Sequence, residues 1–214
     1  MYKTLLFDLD GTLTDPFEGI TNSIVYSLSR FGISVADKRE LIDFIGPPLV
    51  DSFKGFYGFS DKEAELAVEY YREYFSERGI FENAVYEGVT ALLEALKRKG
   101  KKLLVATSKP EIFAERILHR FGLHGYFDYV AGATLDSTRM YKADVIAYAL
   151  ENAGIGDKTQ VVMVGDRNHD ILGAKKNGLA SAGVLYGYGT LDELDSAGAD
   201  YIFEKPSDIL KLVK

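Results

Sequence analysis

Cysteine is absent from this chain of 214 residues, so neither a disulfide framework nor thiol chemistry is available to it. That suits a reducing compartment. No apolar run approaches the roughly 20 residues a membrane-spanning helix needs. Met1-Tyr2-Lys3 leads at once into the first core strand, which leaves no room for a signal peptide, and the expected location is the cytoplasm. Repeats and low-complexity segments are missing too. The composition, 47% hydrophobic and 27% charged, is that of a globular chain rather than a disordered one. Positive charge is in short supply, with 25 Lys and Arg against 32 Asp and Glu for a net −7, which argues against a nucleic-acid polymer as partner. The one basic cluster, Lys97 to Lys102 around Gly100, reads as a solvated helix end, where cations complement the dipole.

What is present is concentrated near the start. In K-T-L-L-F-D-L-D-G-T-L-T-D, Lys3 to Asp15, the apolar strand Leu5-Leu6-Phe7 stops at two aspartates one residue apart, Asp8 and Asp10. Side chains at i and i+2 of a strand share a face, so both carboxylates leave on one side and can share a divalent cation. Oxygen ligands of this kind suit Mg²⁺. Gly11 permits a sharp turn whose N–H groups can face an anion. A plain polar turn would account for one aspartate. It accounts poorly for two at the mouth of an apolar strand, because like charges so close need a cation or a proton between them.

After Asp15-Pro16 the pattern becomes helical. Phe17, Ile20, Ile24, Leu28 and Phe31 predict a helix with Asp15 as its cap and Gly32 as its stop. A second helical piece covers about 37–45 and breaks at Gly46-Pro47-Pro48, and Asp61 opens a long helix ending near Gly79. The tyrosines of this block (Tyr57, Tyr70, Tyr71, Tyr74) read as core rather than as a stacking platform. From Tyr86 onward strands at about 102–106, 129–131, 161–164, 182–185 and 201–203 alternate with helices, and Thr190-x-x-Glu193 has the form of a capping box. Such alternation predicts an α/β fold: a doubly wound, Rossmann-like parallel sheet covered on both faces. The helical block is then an insertion, giving a core of residues 1–14 and 84–214 and a second domain of residues 15–83.

Ligands of open parallel sheets bind beyond the carboxyl ends of the strands. Four polar clusters fall there: Asp8 and Asp10; Thr107 and Ser108 of Thr107-Ser108-Lys109-Pro110; Lys142, opening a helix; and Gly165, Asp166 and Asp170 after V-V-M-V. Taken singly, Thr107 and Ser108 could cap a helix, Lys142 could lie on the surface, and Asp166 and Asp170 could serve a turn and a cap. Acid, hydroxyl, ammonium and acid at four independent strand ends make those separate explanations strained.

In order and spacing these clusters resemble the four motifs of the haloacid dehalogenase-like (HAD) superfamily. The likeness runs along the whole chain, with residues 15–83 similar to that family's C1-type helical cap, and is strongest to the phosphoglycolate phosphatase-like and 5′-nucleotidase-like branch. Ala143 after Lys142 and Ser108 after Thr107 depart from the residues often found there. The resemblance implies a phosphomonoester hydrolase acting on a small phosphorylated metabolite. It implies Asp8 as nucleophile forming an aspartyl-phosphate, Asp10 as general acid and base, and Thr107 and Lys142 holding phosphoryl oxygens, with Ser108 beside them. Backbone N–H groups of Leu9, Asp10 and Gly11 would assist. Mg²⁺ would be held by Asp8, Asp166 and the carbonyl of Asp10, with Asp170 behind them orienting water. The turn at Gly46 resembles the specificity loop of this cap type, although a plain connection explains it equally well. Arg167 and His169 receive no role. Alternatives are a β-phosphoglucomutase-like phosphotransferase, a non-enzymatic phospho-accepting module, which would lack the Asp10 acid and the insertion, and a haloalkanoate dehalogenase, which needs neither metal nor Asp10.

Overall fold

The computed structural model describes residues 1–213. Strand β1 (Thr4–Phe7) and the two-residue β2 (Thr14–Asp15) lead into α1 (Phe17–Ser29), a 3₁₀ segment at Lys38–Phe44, α2 (Leu49–Tyr57), α3 (Asp61–Glu77), a 3₁₀ turn at Gly79–Phe81 and β3 (Ala84–Val85). Alternation follows: α4 (Val89–Arg98), β4 (Lys102–Pro110), α5 (Glu111–Arg120), β5 (Tyr129–Ala133), α6 (Lys142–Asn152), β6 (Val161–Gly165), α7 (Asn168–Lys176), β7 (Ala180–Val184), α8 (Leu191–Ala197) and β8 (Tyr201–Phe203). A 3₁₀ segment at Pro206–Val213 comes last. The chain divides into two compact units, Met1–Asp15 with Val85–Lys214, and Pro16–Ala84.

The larger unit is the α/β one. Its six-stranded sheet has the order β5-β4-β1-β6-β7-β8, and every neighbouring pair is parallel. Leu5, Leu6 and Phe7 of β1 are wholly buried, which is why this strand reads as an unbroken apolar run instead of an alternating one. Leu6, Leu104, Ala106 and Met163 share one face of the sheet with Val145, Ile146, Ala149 and Leu150 of α6 and Ala174 of α7. Because the chain's first strand lies inside the sheet, with β4 on one side and β6 on the other, the crossover direction reverses at β1. That reversal opens the crevice in which doubly wound folds bind ligands.

Register fixes what meets there. Phe7 pairs with Val105 and with Val164, so one step further along all three strands come Asp8, Ala106 and Gly165, and then Leu9, Thr107 and Asp166. β4 runs to Pro110 rather than stopping at Ala106, with its pairing to β5 irregular between Ala106 and Pro110. Helix α5 therefore begins at Glu111, and neither Thr107 nor Ser108 caps it. The basic cluster is less solvated than expected: Lys97 pairs with Asp128 at 3.0 Å, and the ammonium groups of Lys101 and Lys102 donate to the carbonyls of Tyr2 and Ala153.

The smaller unit packs α1 against α3, where Ser27 Oγ donates to the Ala67 carbonyl at 2.7 Å. Three of its details correct the sequence reading. Asp15 does not cap α1; it lies in β2, and its carboxylate accepts from the Tyr188 hydroxyl. Helix α2 lies in the stretch between the Gly46-Pro47-Pro48 break and Asp61, where the sequence reading placed no element. Ser60, not Asp61, caps α3, in a reciprocal box with Glu63. Tyr71 is buried and stacks on Phe75, and Tyr57 and Tyr70 join rings of Phe31, Phe44 and Phe59, consistent with a core role. Gly46, expected at a specificity loop, lies in this unit between the 3₁₀ segment and α2, with φ +112°.

Gly19 sits inside α1, and a Cβ there would come within 2.0 Å of the Gly79 carbonyl oxygen. Helix propensity alone favours alanine by about 1 kcal/mol, whereas overpacking against backbone costs about 1–3 kcal/mol. Gly19→Ala is therefore expected to destabilise the protein by up to about 2 kcal/mol, seen as a lower urea midpoint. A higher midpoint would show that helix propensity outweighs the close approach.

Candidate active site

At the mouth of β1 four carboxylates and two ammonium groups are buried together: Asp8, Asp10, Asp166 and Asp170, with Lys109 and Lys142. Lys142, the first residue of α6, pairs as an ion with Asp8 Oδ1 and with Asp170 Oδ1, each at 2.8 Å, and donates to the Ala106 carbonyl at 3.1 Å. Asp8 Oδ1 also accepts from the Leu9 N–H at 2.7 Å. Asp166, with no exposed surface, accepts from Thr12 Oγ1 at 3.1 Å and from the Tyr188 N–H at 2.9 Å. Asp170 accepts from the Arg167 N–H at 3.1 Å, so it does cap α7 while it holds Lys142.

Close approach of backbone makes this crowding possible. Gly11 has φ +80°, and a Cβ on it would fall 2.1 Å from Asp166 Oδ2. The loop Tyr186-Gly187-Tyr188-Gly189 wraps the other side of Asp166, where side chains on Gly187 or Gly189 would collide with Asp166 atoms. The Tyr186 hydroxyl donates to the Thr12 carbonyl at 3.0 Å, and that of Tyr188 bonds Asp15. Burial and the neighbouring acids push both phenols far above their usual range. They stay neutral donors.

The electrostatics favour a cation. Burial, then the charges of Asp170 and Asp8, push the Asp166 carboxyl well above the ordinary range. Asp170 is pushed up to about 6 by burial and by Asp8, despite the opposing charge of Lys142. Burial also raises Asp10, against the pull of Lys109. For Lys142 burial works against the charged form, but Asp170 and Asp8 together outweigh it and its pKa is raised. Four carboxylates facing two ammonium groups leave two negative charges unbalanced in a buried space. Carboxylate oxygens of Asp8, Asp166 and Asp170 lie within 4.8 Å of one another. An all-oxygen donor set with a surplus of two charges fits a hard divalent cation.

Asp8, Asp10, Lys142, Asp166 and Asp170 are thus brought together, with Thr107 buried beside them on β4. The Gly11 N–H donates to the Thr14 carbonyl at 2.8 Å, and that of Leu9 to Asp8 Oδ1 at 2.7 Å. A carboxylate oxygen of Asp170 lies within 4.8 Å of oxygens of Asp8 and Asp166. Glu193 completes only half of its capping box: Thr190 Oγ1 accepts from its N–H, but its carboxylate turns to Arg167 Nε at 3.0 Å and the Asn168 N–H at 2.8 Å. His169 is half-buried, and burial followed by the charges of Arg167 and Lys142 pushes its imidazole pKa down.

Sequence reasoning missed Thr12, Tyr188 and above all Lys109. The Lys109 ammonium lies 2.6 Å from Asp10 Oδ2, with side chains only 5% and 10% exposed. Its one signal was its position two residues after Thr107, which places both on one face if the strand continues past Ala106.

Known proteins resemble this chain throughout. The sequence profile of the family described as haloacid dehalogenase-like hydrolase matches residues 5–184. A 5′-nucleotidase from Pseudomonas aeruginosa is 48% identical over 193 residues, 90% of this chain and 87% of that protein. A tyrosine-protein kinase, PtkA, from Mycobacterium tuberculosis is 38% identical over 200 residues, 94% of this chain and 68% of that protein. A crystal structure described as a predicted phosphatase from Clostridium acetobutylicum superposes with a TM-score of 0.97 at 48% identity, covering 100% of this chain and 98% of the other. The chain belongs to the haloacid dehalogenase-like hydrolase family, and within it to the phosphatases.

Proposed function

We propose that this phosphatase is Mg²⁺-dependent and hydrolyses a small phosphomonoester through an aspartyl-phosphate on Asp8. The observation that carries the reading is the buried charge surplus. Asp8, Asp166 and Asp170 present oxygens within 4.8 Å of one another, and Asp8 is already oriented by Lys142 and the Leu9 N–H. Asp8, Asp166 and Asp170 would hold the ion, which when bound would offset the repulsion between a carboxylate and a phosphate dianion.

In the first half-reaction an Asp8 oxygen attacks phosphorus in line, the bond from phosphorus to the ester oxygen breaks, and the departing alkoxide takes the proton of Asp10. In the second, Asp10, now a carboxylate, removes a proton from water as the water oxygen attacks the same phosphorus. Inorganic phosphate leaves, Asp8 is a carboxylate again, and Asp10 has regained its proton. Lys142 would hold a phosphoryl oxygen by exchanging one of its three present contacts, with the Thr107 hydroxyl as a further donor. Among phosphomonoesters, nucleoside 5′-monophosphates rank first because the 5′-nucleotidase is similar over nearly the whole chain. Phosphoglycolate and small sugar phosphates follow. The similarity to PtkA favours a second reading, in which the aspartyl group hands its phosphoryl to a hydroxyl other than water's.

A panel of phosphomonoesters assayed for phosphate release tests the activity. Turnover is expected only with Mg²⁺, to stop with EDTA, to vanish in Asp8→Asn and to fall about 10²- to 10⁴-fold in Asp10→Asn. Turnover that survives EDTA, or an alcohol product with no matching phosphate, would overturn the hydrolase proposal.

The charge surplus is also expected in stability. Asp170, raised to about 6 in the fold, is protonated there at pH values where the unfolded chain has lost the proton. Its contribution is full below the unfolded value and disappears as pH rises through about 6. Metal-free protein should therefore melt at a lower temperature at pH 7.5 than at pH 5.5. Mg²⁺ at a hundred times its dissociation constant should restore about 2.7 kcal/mol at pH 7.5. Asp166→Asn should raise the metal-free melting temperature at pH 7.5 and abolish the Mg²⁺ response. Calorimetry of the two proteins with and without the ion checks both.

A further inference from the structure

Each aspartate of the Asp8–Asp10 pair has its own lysine. Lys142 serves Asp8 and is shared with Asp170. Lys109 serves Asp10, its ammonium 2.6 Å from Oδ2. The other oxygen, Asp10 Oδ1, is buried and has no hydrogen-bond partner. A buried carboxyl oxygen left without a partner is unfavourable, and such groups concentrate where a ligand supplies what is missing.

We infer that Lys109 is a positioning residue: by gripping one oxygen of the Asp10 carboxyl it fixes the other as the oxygen that meets the leaving group. The inference rests on the reading of Asp10 as proton donor. Rotation about the terminal bond of an aspartate is soft and nearly two-fold, so an ungripped carboxyl presents either oxygen over a broad arc. An ammonium on Oδ2 removes that equivalence. The proton to be delivered then belongs on Oδ1, since the positive charge of Lys109 already lies against Oδ2. Misplacement of a proton donor by a fraction of an ångström is felt directly in rate.

The support behind Lys109 suits such a grip. Strand β4 continues through Lys109 to Pro110, which pairs with Ala133. The Lys109 N–H donates to Thr107 Oγ1 at 3.2 Å. Gly132 lies against this stretch so closely that a Cβ on it would come 2.6 Å from the Lys109 carbonyl oxygen. The ammonium thus extends from the irregular stretch between Ala106 and Pro110, whose two ends pair with β5 at Ala131 and Ala133.

Leaving-group dependence tests this. For a double-displacement enzyme kcat/KM reports only the steps up to departure of the alcohol, which are the steps in which Asp10 donates. A nucleoside 5′-monophosphate expels a basic alkoxide that needs the proton, whereas p-nitrophenyl phosphate expels a phenolate that does not. In Lys109→Met, kcat/KM for the nucleotide is expected to fall about 10- to 100-fold, and that for p-nitrophenyl phosphate by about threefold or less. Asp10→Asn should show the same selectivity more strongly. Lys109→Gln, which keeps a donor near the carboxyl, should show it in milder form and serves if the methionine variant does not fold. Circular dichroism checks the fold of each. Equal losses on both esters, or none on either, in a folded variant would overturn the inference. If the wild type turns over nucleotides poorly, the best alkyl phosphate of the panel takes their place; if it turns over no ester of the panel, the hydrolase reading itself fails, independently of Lys109.

Discussion

Four acids held out of water at the end of one strand, with two ammonium groups against them, are the constraint on which the rest of this structure depends. Asp8, Asp10, Asp166 and Asp170 are all less than a tenth exposed, and only Lys109 and Lys142 oppose them. Burying unbalanced charge is among the least favourable things a fold can do. The raised carboxyls of Asp166 and Asp170 are the measure of that cost. An all-oxygen group of this kind suits a hard cation and a dianion brought against it, which is the use proposed for it in this phosphatase.

The sheet assembles this group, and the loops compress it. β1 has parallel partners on both sides, and their register carries Asp8, Thr107 and Asp166 to neighbouring heights at one end. None of the three is near another in sequence. Compression comes from residues without side chains: Gly11 and Gly187 approach Asp166 from two directions more closely than a Cβ would allow. Thr12 and the Tyr188 N–H then hold its two oxygens.

The two lysines divide the work. Lys142 sits on a helix and is shared between two acids, so its contacts can be exchanged when a phosphate arrives. Lys109 sits on a strand against Oδ2 of Asp10, whose Oδ1 has no hydrogen-bond partner. An arrangement in which one ammonium adapts and the other stays put matches a reaction in which phosphate groups come and go while one proton shuttles at a fixed place.

Much of this was legible in the residues alone. Leu5-Leu6-Phe7 ending in Asp8 and Asp10 announced both a buried parallel strand and an acidic mouth, because burial on both faces writes itself as a continuous apolar run. Alternation after Tyr86 gave the fold class, and polar clusters at strand ends named Thr107, Lys142, Asp166 and Asp170. These are properties of local pattern, and local pattern is what a sequence records. Partnership is not. That Asp15 would be taken by Tyr188 instead of capping α1, that the Gly11 N–H would be used by Thr14, that Glu193 would turn from its own helix to Arg167, and that Lys109 would close on Asp10 all depend on which groups the tertiary fold sets within 3 Å. Hydrogen bonds and ion pairs act over a few ångströms whatever the separation along the chain, so only the folded sheet decided them.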